Sequence, residues 1–362
     1  MKIIGDNIIS SLGFTTEENY LAIKQGSSGI KRYNAGTFDL PEPFMASLID
    51  KEKLDDEFLK ISSEKKITNL EKAAILSVFL ANKKTDVDLS SEKTIFILST
   101  TKGNIDQLVM NNKQLTINNG GEGQNYYSLY LWHTAELIAR FYKNHNTPIV
   151  VSNACISGAA AQIVAMRELR SGKYEHAVVV GVDFISKFII SGFQAFKALS
   201  PERCRPFEKE RCGLNLGEAA ATMIFSRIDT GYAPTLQCGA IRNDASHISA
   251  PSRTGEGSFR ALKSILQNIN IEDIAFINAH GTATPYNDDM EMCAIARAGL
   301  EKVPVNSLKS CFGHTLGAAG VVESIISTHL LSEKKSVKKY FIKMMSGFGG
   351  VNAALLFCNP LM

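Results

Sequence analysis

The most informative part of the sequence runs from Ile149 to Ala160 and reads IVVSNACISGAA. An apolar, β-branched run typical of a buried strand ends near a cysteine and leads into small residues typical of a helix start. The first N–H groups of a helix have no partner within the helix, and the helix dipole is positive there. The sequence therefore predicts that Cys155 is a nucleophile whose thiolate is favoured by a helix start. A buried structural cysteine is the alternative interpretation.

The overall composition argues against several classes of protein. The net charge is only +3 over 362 residues, and basic residues are mixed with acidic ones, so no nucleic-acid partner is predicted. The seven cysteines lack metal-type pairing in a chain too large to need a disulfide framework, so we expect a reducing, cytoplasmic location. We find no signal-peptide pattern, and charged residues or glycines interrupt each apolar stretch, so no membrane span is expected.

Strand-like and helix-like stretches alternate along the chain, which predicts an α/β layered fold. The strand-like stretches are 94–99, 148–152, 176–182, 220–225, 274–279 and 353–357. The helix-like stretches are 70–81, 132–142, 158–170, 257–267 and 318–331.

Two histidines lie in distinctive positions in the second part of the chain. His280 follows a predicted strand and precedes a turn that carries the hydroxyls of Thr282 and Thr284. His314 and Lys309 lie in a glycine-rich approach to a predicted helix. Strand ends are where α/β folds present reactive groups. A core histidine and simple helix packing are the structural alternatives, but together with the cysteine the two motifs favour a catalytic site.

A glycine turn with the sequence SGFGGVN at 346–352 surrounds Phe348 near the end of the chain. Because glycine adopts backbone conformations that other residues avoid, this turn can aim a backbone N–H at a reacting oxygen and let the ring move. An ordinary hairpin turn is the alternative. Phe348 is therefore a candidate for an oxyanion site and for a gate.

The same order of elements occurs once around Cys155 and again around His314. In each part a strand leads to a candidate site residue, a helix of small residues follows, and two strands close the unit. This repetition predicts two α/β halves. Residues 1–230 carry the cysteine, residues 231–362 carry both histidines, and a hinge is expected near 229–231.

These motifs resemble, in their order, the β-ketoacyl-acyl carrier protein synthases of the thiolase superfamily, and specifically the elongating class with a Cys-His-His triad. The matching segments are NACISG at 153–158, HGTATP at 280–285, KSCFGHTLGAAG at 309–320, GFGGVN at 347–352, GSSGI at 26–30 and CRPFE at 204–208. The resemblance covers nearly the whole chain. It implies a thiolase-like fold in which two repeated α/β halves form a layered α-β-α-β-α architecture.

The resemblance also implies the reaction. An acyl chain on Cys155 would condense with malonyl-acyl carrier protein, with loss of carbon dioxide, to give 3-oxoacyl-acyl carrier protein in fatty-acid or specialised polyene or polyketide synthesis. His280 and His314 would donate hydrogen bonds to the enolate-like oxygen. The backbone N–H groups of Cys155 and Phe348 would hold the tetrahedral oxyanion.

Other roles rest on the resemblance alone. Lys309 and Glu291 match a lysine and a buried glutamate that support the histidines. Thr282 and Thr284 match hydroxyls that bind the phosphopantetheine arm, and Phe348 matches a gate. No metal and no cofactor are implied beyond the phosphopantetheine of the carrier protein.

The implied partners are an acyl carrier protein and a second subunit, in a homodimer or in a heterodimer with a homologue. Carrier proteins in such pathways are usually acidic, so docking through basic residues is expected. The candidates are Lys65, Lys66, Lys72 and Arg203.

Two other functions stay open from the sequence. One is a thiolase-like acyltransferase without decarboxylation, against which the pairing of His314 with Lys309 argues. The other is a non-catalytic subunit that shapes the cavity of a ketosynthase heterodimer, against which Cys155 argues. Initiating synthases carry asparagine where His314 stands, thiolases use a second cysteine, and chain-length factors lack the nucleophile.

The chain departs from the family pattern in three respects. LGEAAA at 216–221 replaces a glycine-rich ending, the first strand is expected to be clipped, and the chain is short. These departures favour a specialised pathway. The aromatic cluster YYSLYLW at 126–132 suits either a flat, conjugated acyl chain or the packing of a dimer interface.

Overall fold

The computed structural model describes residues 1–111, 114–117, 126–228, 231–333 and 338–359. The strands in these ranges are β1 (Lys2–Ser10), β2 (Lys31–Tyr33), β3 (Phe44–Ser47), β4 (Thr94–Ser99), β5 (Leu108–Asn111), β6 (Gln114–Ile117), β7 (Ile149–Val151), β8 (His176–Asp183), β9 (Leu216–Gly217), β10 (Ala219–Ser226), β11 (Thr235–Asn243), β12 (Ile274–Asn278), β13 (Val305–Asn306), β14 (Tyr340–Gly347) and β15 (Val351–Cys358). The α-helices are α1 (Thr16–Lys24), α2 (Lys51–Leu59), α3 (Asn69–Asn82), α4 (Leu131–Phe141), α5 (Ser157–Arg170), α6 (Lys187–Ala195), α7 (Glu256–Ile265), α8 (Pro285–Arg297), α9 (Lys309–Phe312) and α10 (Ala319–Glu333).

The main sheet consists of two halves with the same topology. Its ten described strands follow the order β13-β12-β14-β15-β11-β1-β10-β8-β4-β7. Lys2 of β1 pairs with Thr235 of β11 and joins the two halves. In each half the first strand pairs antiparallel with the last, the last pairs antiparallel with the fourth, and the remaining pairs are parallel. The predicted pair of repeated α/β halves is therefore confirmed.

Helices lie on both outer faces of the two half-sheets and between them. The central layer consists of α5, which contacts β4 and β8 as well as β11 and β15, and α10, which contacts β10 and β14. α3 and α4 cover the outer face of the first half, whereas α7 covers that of the second and packs against α8. This arrangement is the predicted α-β-α-β-α layering.

Sequence patterns explain most of these elements. β4, β8 and β10 are buried over nearly their whole length because helices cover both faces of the sheet, as their continuous apolar runs predict. α3 begins where Thr68 and Glu71 form a reciprocal capping box. β14 is not among the predicted strands, because Lys343 lies in the middle of its buried run. The first strand, predicted to be clipped, spans nine residues and pairs with β10 along its length.

Three further expectations concern the chain as a whole. All seven cysteines are free thiols. Among the helices of the described ranges, none has the combination of length and apolar character that crossing a bilayer requires. The predicted hinge near 229–231 falls partly on residues 229 and 230, which lie outside the described ranges.

The two central helices approach each other closely at glycines. A Cβ added to Gly320 on α10 would lie 2.4 Å from the backbone nitrogen of Ala159 on α5, and one added to Gly158 would lie 2.9 Å from that of Val321. Only glycine permits contacts this close without a shift of the backbone. Cys155 lies two residues before α5 and His314 lies five residues before α10, so the crossing constrains the distance between them.

We expect Gly320→Ala to lower the free energy of unfolding by about 1–3 kcal/mol, because the added methyl group overpacks the crossing. Gly192 on α6 offers a matched control, since a Cβ there meets no atom within 4 Å. Gly192→Ala is expected to leave stability unchanged or raise it by up to about 1 kcal/mol. Chemical denaturation measures both variants. Equal effects would show that the crossing does not depend on glycine.

Candidate active site

Three side chains from distant parts of the chain meet in one buried site. The sulfur of Cys155 and one ring nitrogen each of His280 and His314 lie within 4.8 Å of one another. The two imidazole rings meet edge to face, with centroids 5.0 Å apart. All three residues are buried. The fold thus brings together the nucleophile and both histidines that the sequence analysis selected.

Cys155 lies in a tight turn between β7 and α5. Ala154 has a φ of 46°, in the left-handed region that residues other than glycine rarely adopt. The hydroxyl of Ser157 stabilises this turn: it accepts the backbone N–H of Asn153 at 2.8 Å and donates to the carbonyl of Ala154 at 2.6 Å. The turn places the sulfur against the backbone N–H of Phe348.

The ionisation of Cys155 differs from the sequence-based expectation. Burial raises the pKa of its thiol to about 11, although the charge of Lys309 and the backbone N–H groups of Phe348 and Cys155 act in the opposite direction. The expected thiolate is therefore wrong for the resting site, because the loss of solvation outweighs the donors at the helix start. The sulfur must lose its proton as it reacts.

Both imidazoles are neutral bases beside that thiol. Burial, followed by the charge of Lys309, holds the pKa of His280 and of His314 well below the usual range. Nδ1 of His280 and both ring nitrogens of His314 have no hydrogen-bond partner among the described residues. Because buried polar atoms are normally paired, these nitrogens are suited to contact polar atoms of a substrate.

Lys309 and Glu291 hold the backbone at His280 from two sides. The ammonium group of Lys309 donates to the carbonyl of His280 at 2.9 Å. The carboxylate of Glu291 accepts the backbone N–H groups of His280 and Gly281, each at 2.7 Å. Glu323 is the ion-pair partner of Lys309, at 2.5 Å, and the sequence analysis misses it because one acidic residue within a helix gives no distinguishing pattern.

Asp183, at the end of β8, ties the approach to α10 to the first half of the fold. Its carboxylate accepts the backbone N–H of Gly317 and the hydroxyl of Thr100, both at 2.7 Å. It also pairs with the ammonium group of Lys102 at 3.0 Å. This role of Asp183 was not predicted from the sequence, although a charged residue at the end of a buried apolar strand is a signal that could have revealed it.

A cavity of about 310 Å³ connects the three side chains with the surface. Thr282 and Thr284 line it, and their hydroxyl oxygens lie 2.8 Å apart. Phe348 also lines it and packs between two rings of the α6 region, with centroid distances of 6.0 Å to Phe193 and 5.4 Å to Phe196. The cavity thus gives a substrate access to Cys155, and the aromatic ring of Phe348 forms part of its wall.

The turn that carries Phe348 depends on its glycines. Gly349 and Gly350 have φ values of 88° and 72°, which L-residues with a side chain rarely adopt. Two hydrogen bonds from the neighbouring loop fix the turn. The side-chain amide of Asn243 donates to the carbonyl of Gly349 at 2.8 Å, and the backbone N–H of Asp244 donates to the carbonyl of Gly350 at 2.9 Å. The position of Phe348 is therefore set by contacts on both sides of its turn.

Comparison with known proteins agrees with this geometry. The family description "Beta-ketoacyl synthase, N-terminal domain" matches residues 1–230, and "Beta-ketoacyl synthase, C-terminal domain" matches residues 232–340. The chain therefore belongs to the beta-ketoacyl synthase family. The 3-oxoacyl-(acyl-carrier-protein) synthase 2 of Staphylococcus aureus is 30% identical over 247 residues, or 56% of this chain and 61% of that protein. The match thus spans less than two thirds of the relative's length.

Solved structures confirm the predicted thiolase-like fold over the whole chain. The ketosynthase ApeO in complex with its chain length factor ApeC, from Xenorhabdus doucetiae, gives a TM-score of 0.84 at 23% identity, covering 99% of this chain and 98% of that one. A structure of a type II PKS acyl-carrier protein in complex with its ketosynthase gives a TM-score of 0.83 at 20% identity, covering 99% of this chain and 98% of the matched chain.

The raised pKa of Cys155 predicts how it reacts with an alkylating reagent. We expect the rate of modification by iodoacetamide to keep rising between pH 8 and pH 10, because only the thiolate reacts. Peptide mass spectrometry at each cysteine measures this rate, and exposed Cys212, which lines the same cavity, provides an internal control for access of the reagent. A rate at Cys155 that levels off below pH 8 would contradict the prediction.

Proposed function

We propose that this protein condenses an acyl chain bound to Cys155 with malonyl-acyl carrier protein, releasing carbon dioxide and forming 3-oxoacyl-acyl carrier protein. One observation carries the proposal: a cysteine, two neutral imidazoles and the backbone N–H of Phe348 meet at the inner end of a channel. The Staphylococcus aureus relative, a 3-oxoacyl-(acyl-carrier-protein) synthase, supports the same reaction.

Acyl transfer is the first half-reaction. The Cys155 sulfur attacks the carbonyl carbon of an acyl thioester, while its proton passes to a neutral imidazole. The backbone N–H groups of Cys155 and Phe348 stabilise the tetrahedral oxyanion. The carrier thiol then leaves with the proton, and the acyl chain stays on the sulfur as a new thioester.

Decarboxylation and condensation form the second half-reaction. Loss of carbon dioxide from the malonyl group leaves an enolate, whose oxygen accepts hydrogen bonds from His280 and His314. Each neutral imidazole carries one N–H donor, so two of them serve this purpose without a charge. The enolate carbon attacks the acyl thioester, and the sulfur of Cys155 leaves as a thiolate, which takes up a proton from solvent to restore the thiol. We assign binding of the phosphopantetheine arm to Thr282 and Thr284, a role that their position in the lining of the cavity supports.

Substitution of the nucleophile separates the two half-reactions. Cys155→Ala is expected to abolish acyl transfer and condensation, because no other group accepts the acyl chain, while release of carbon dioxide from malonyl-acyl carrier protein continues. Mass spectrometry of the carrier protein follows both activities. Condensation by Cys155→Ala at the wild-type rate would refute the nucleophile assignment. A wild-type protein that transfers acyl groups but never decarboxylates would instead be the thiolase-like acyltransferase.

Substitution of either histidine should give the opposite pattern. We expect His280→Ala and His314→Ala each to slow decarboxylation about 100-fold, the usual effect of losing one donor to a developing oxyanion. Acyl loading of Cys155 should fall less, because the backbone N–H groups that stabilise its oxyanion are unchanged and the remaining imidazole can still accept the thiol proton. A variant that loads poorly but decarboxylates normally would show that this histidine has been given the wrong role.

Carrier docking is proposed at the mouth of the channel. Lys65, Lys66, Lys72 and Arg203 do not line this cavity, and Lys72 is already paired with Asp55 at 2.6 Å. Exposed Lys197, which follows α6, does line it. Phe196, Ile248 and Tyr286 surround the same opening and are also exposed. A positive charge within an apolar rim suits an acidic carrier protein.

Lys197→Glu is expected to raise the KM for malonyl-acyl carrier protein about tenfold at low salt and to leave kcat nearly unchanged. The effect should shrink as salt screens the charge. Lys93→Glu is the control, because Lys93 is exposed just before β4, at the opposite end of the strand from the site. A salt-independent KM, or equal effects of the two substitutions, would remove Lys197 from the docking surface.

We also propose a dimer, either with a second copy or with a homologue. β7 lies at the end of the described sheet, where its outer edge can pair with another chain. Tyr127, Tyr130 and Trp132 are exposed near it and do not line the channel, which favours an interface over an acyl-binding role. The side chain of Tyr126 lies outside the described residues. Light scattering that shows an active monomer would exclude the dimer.

A further inference from the structure

Lys343 is a fully buried lysine in the middle of β14 that none of the sequence motifs explains. Its ammonium group donates to the carbonyls of Asn278 at 3.3 Å, Ala279 at 3.2 Å and Met344 at 2.9 Å. A carboxylate oxygen of Glu323 lies 2.6 Å from it. Charged groups are rarely found fully buried unless they are paired and hydrogen-bonded, and this lysine meets both conditions.

Lys343 and Lys309 form one network around the segment that carries His280. Glu323 contacts both ammonium groups, at 2.5 Å for Lys309 and 2.6 Å for Lys343. Lys309 donates to the carbonyl of His280, which directly follows the two carbonyls that Lys343 binds at 278 and 279. Three consecutive carbonyls at the end of β12 therefore point at ammonium groups. This leaves little freedom in the backbone that orients the His280 ring.

We propose that Lys343 is a positioning residue that fixes the backbone at His280 and supplies positive charge that keeps the His280 and His314 rings neutral. The proposal rests on the proposed function, in which neutral imidazoles donate to the enolate oxygen. It adds a second buried cation to the lysine that the family resemblance selects.

Charges from several elements face this site. The charge of Lys343, like that of Lys309, lowers the pKa of both His280 and His314. The charge of Lys102 also lowers the pKa of His314. The groups that face Lys343 itself are Glu323 on α10, Lys309 on α9 and Glu291 on α8. Burial lowers the pKa of Lys343 to about 8, so the ammonium form still predominates at neutral pH. The charges of these lysines disfavour an imidazolium ion at either ring.

Lys343→Met is the informative variant. Methionine retains an unbranched apolar side chain, and Glu323 keeps one cationic partner in Lys309, so no buried charge is left unpaired. Lys339→Met removes an exposed lysine just before the same strand and is the matched control. Thermal unfolding and acyl loading of Cys155 check that each variant is folded and retains its nucleophile.

The first readout is the rate of malonyl decarboxylation between pH 4 and pH 9. We expect the ratio of the Lys343→Met rate to the wild-type rate to fall as the pH is lowered, and to approach about one tenth at a pH below both imidazole pKa values, because loss of one nearby charge raises an imidazole pKa by about one unit. KM for malonyl-acyl carrier protein should stay the same. A ratio that is constant with pH, or that changes equally for Lys339→Met, would overturn the charge role.

The second readout does not depend on activity. Nuclear magnetic resonance of histidine labelled with nitrogen-15 reports whether each ring is neutral, and His280→Ala and His314→Ala assign the two signals. In the wild type we expect both rings to stay neutral below pH 6. In Lys343→Met they should become charged at a pH about one unit higher than in the wild type.

The two readouts keep the two proposals apart. A wild-type protein that releases no carbon dioxide from malonyl-acyl carrier protein would refute the proposed function, while the resonance experiment would still test Lys343. Identical titration of both rings in wild type and Lys343→Met would overturn the role of Lys343 whatever the activity. If Lys343→Met does not fold, the wild type alone provides the test: titration of either ring near the ordinary pH of 6.5 would also overturn the role of Lys343.

Discussion

The contact on which the rest of the structure depends is the crossing of α5 and α10. Their backbones approach so closely at Gly158 and Gly320 that no side chain fits between them. Because Cys155 precedes one helix and His314 the other, this contact converts a repeat of two similar halves into one reaction site. A larger separation of the helices would leave each half with an incomplete set of reactive groups.

The charge distribution of the site follows from burial as much as from sequence. Lys309, Lys343 and Lys102 lie in or beside the site, and Glu323 and Asp183 pair with them. In this environment the imidazoles lose their protons easily, whereas the cysteine thiol keeps its own. Burial disfavours the charged form of both kinds of residue, so it also opposes transfer of the proton from the sulfur to an imidazole. In the proposed reaction this transfer must therefore accompany the attack of the sulfur.

Much of this could be predicted from the sequence because it depends on local patterns. The apolar runs of β4, β8 and β10 and the small-residue helices have recognisable periodicity, and Cys155 and the two histidines occupy recognisable motifs. The partners of these groups depend on three-dimensional proximity. No local sequence pattern distinguishes Glu323. Lys343 interrupts the apolar run of β14, so this strand is not recognisable from the sequence. The prediction of a thiolate at Cys155 is wrong for a related reason, since the helix start is visible in the sequence but the depth of burial is not.

The protonated state of the Cys155 thiol has a consequence for damage. Oxidants such as hydrogen peroxide attack thiolates far faster than thiols, and the sulfinic and sulfonic acids that follow are not readily reduced. A sulfur that is buried and protonated between turnovers is therefore a poor target for these reagents. The burial that opposes loss of the thiol proton therefore also limits the oxidation of Cys155.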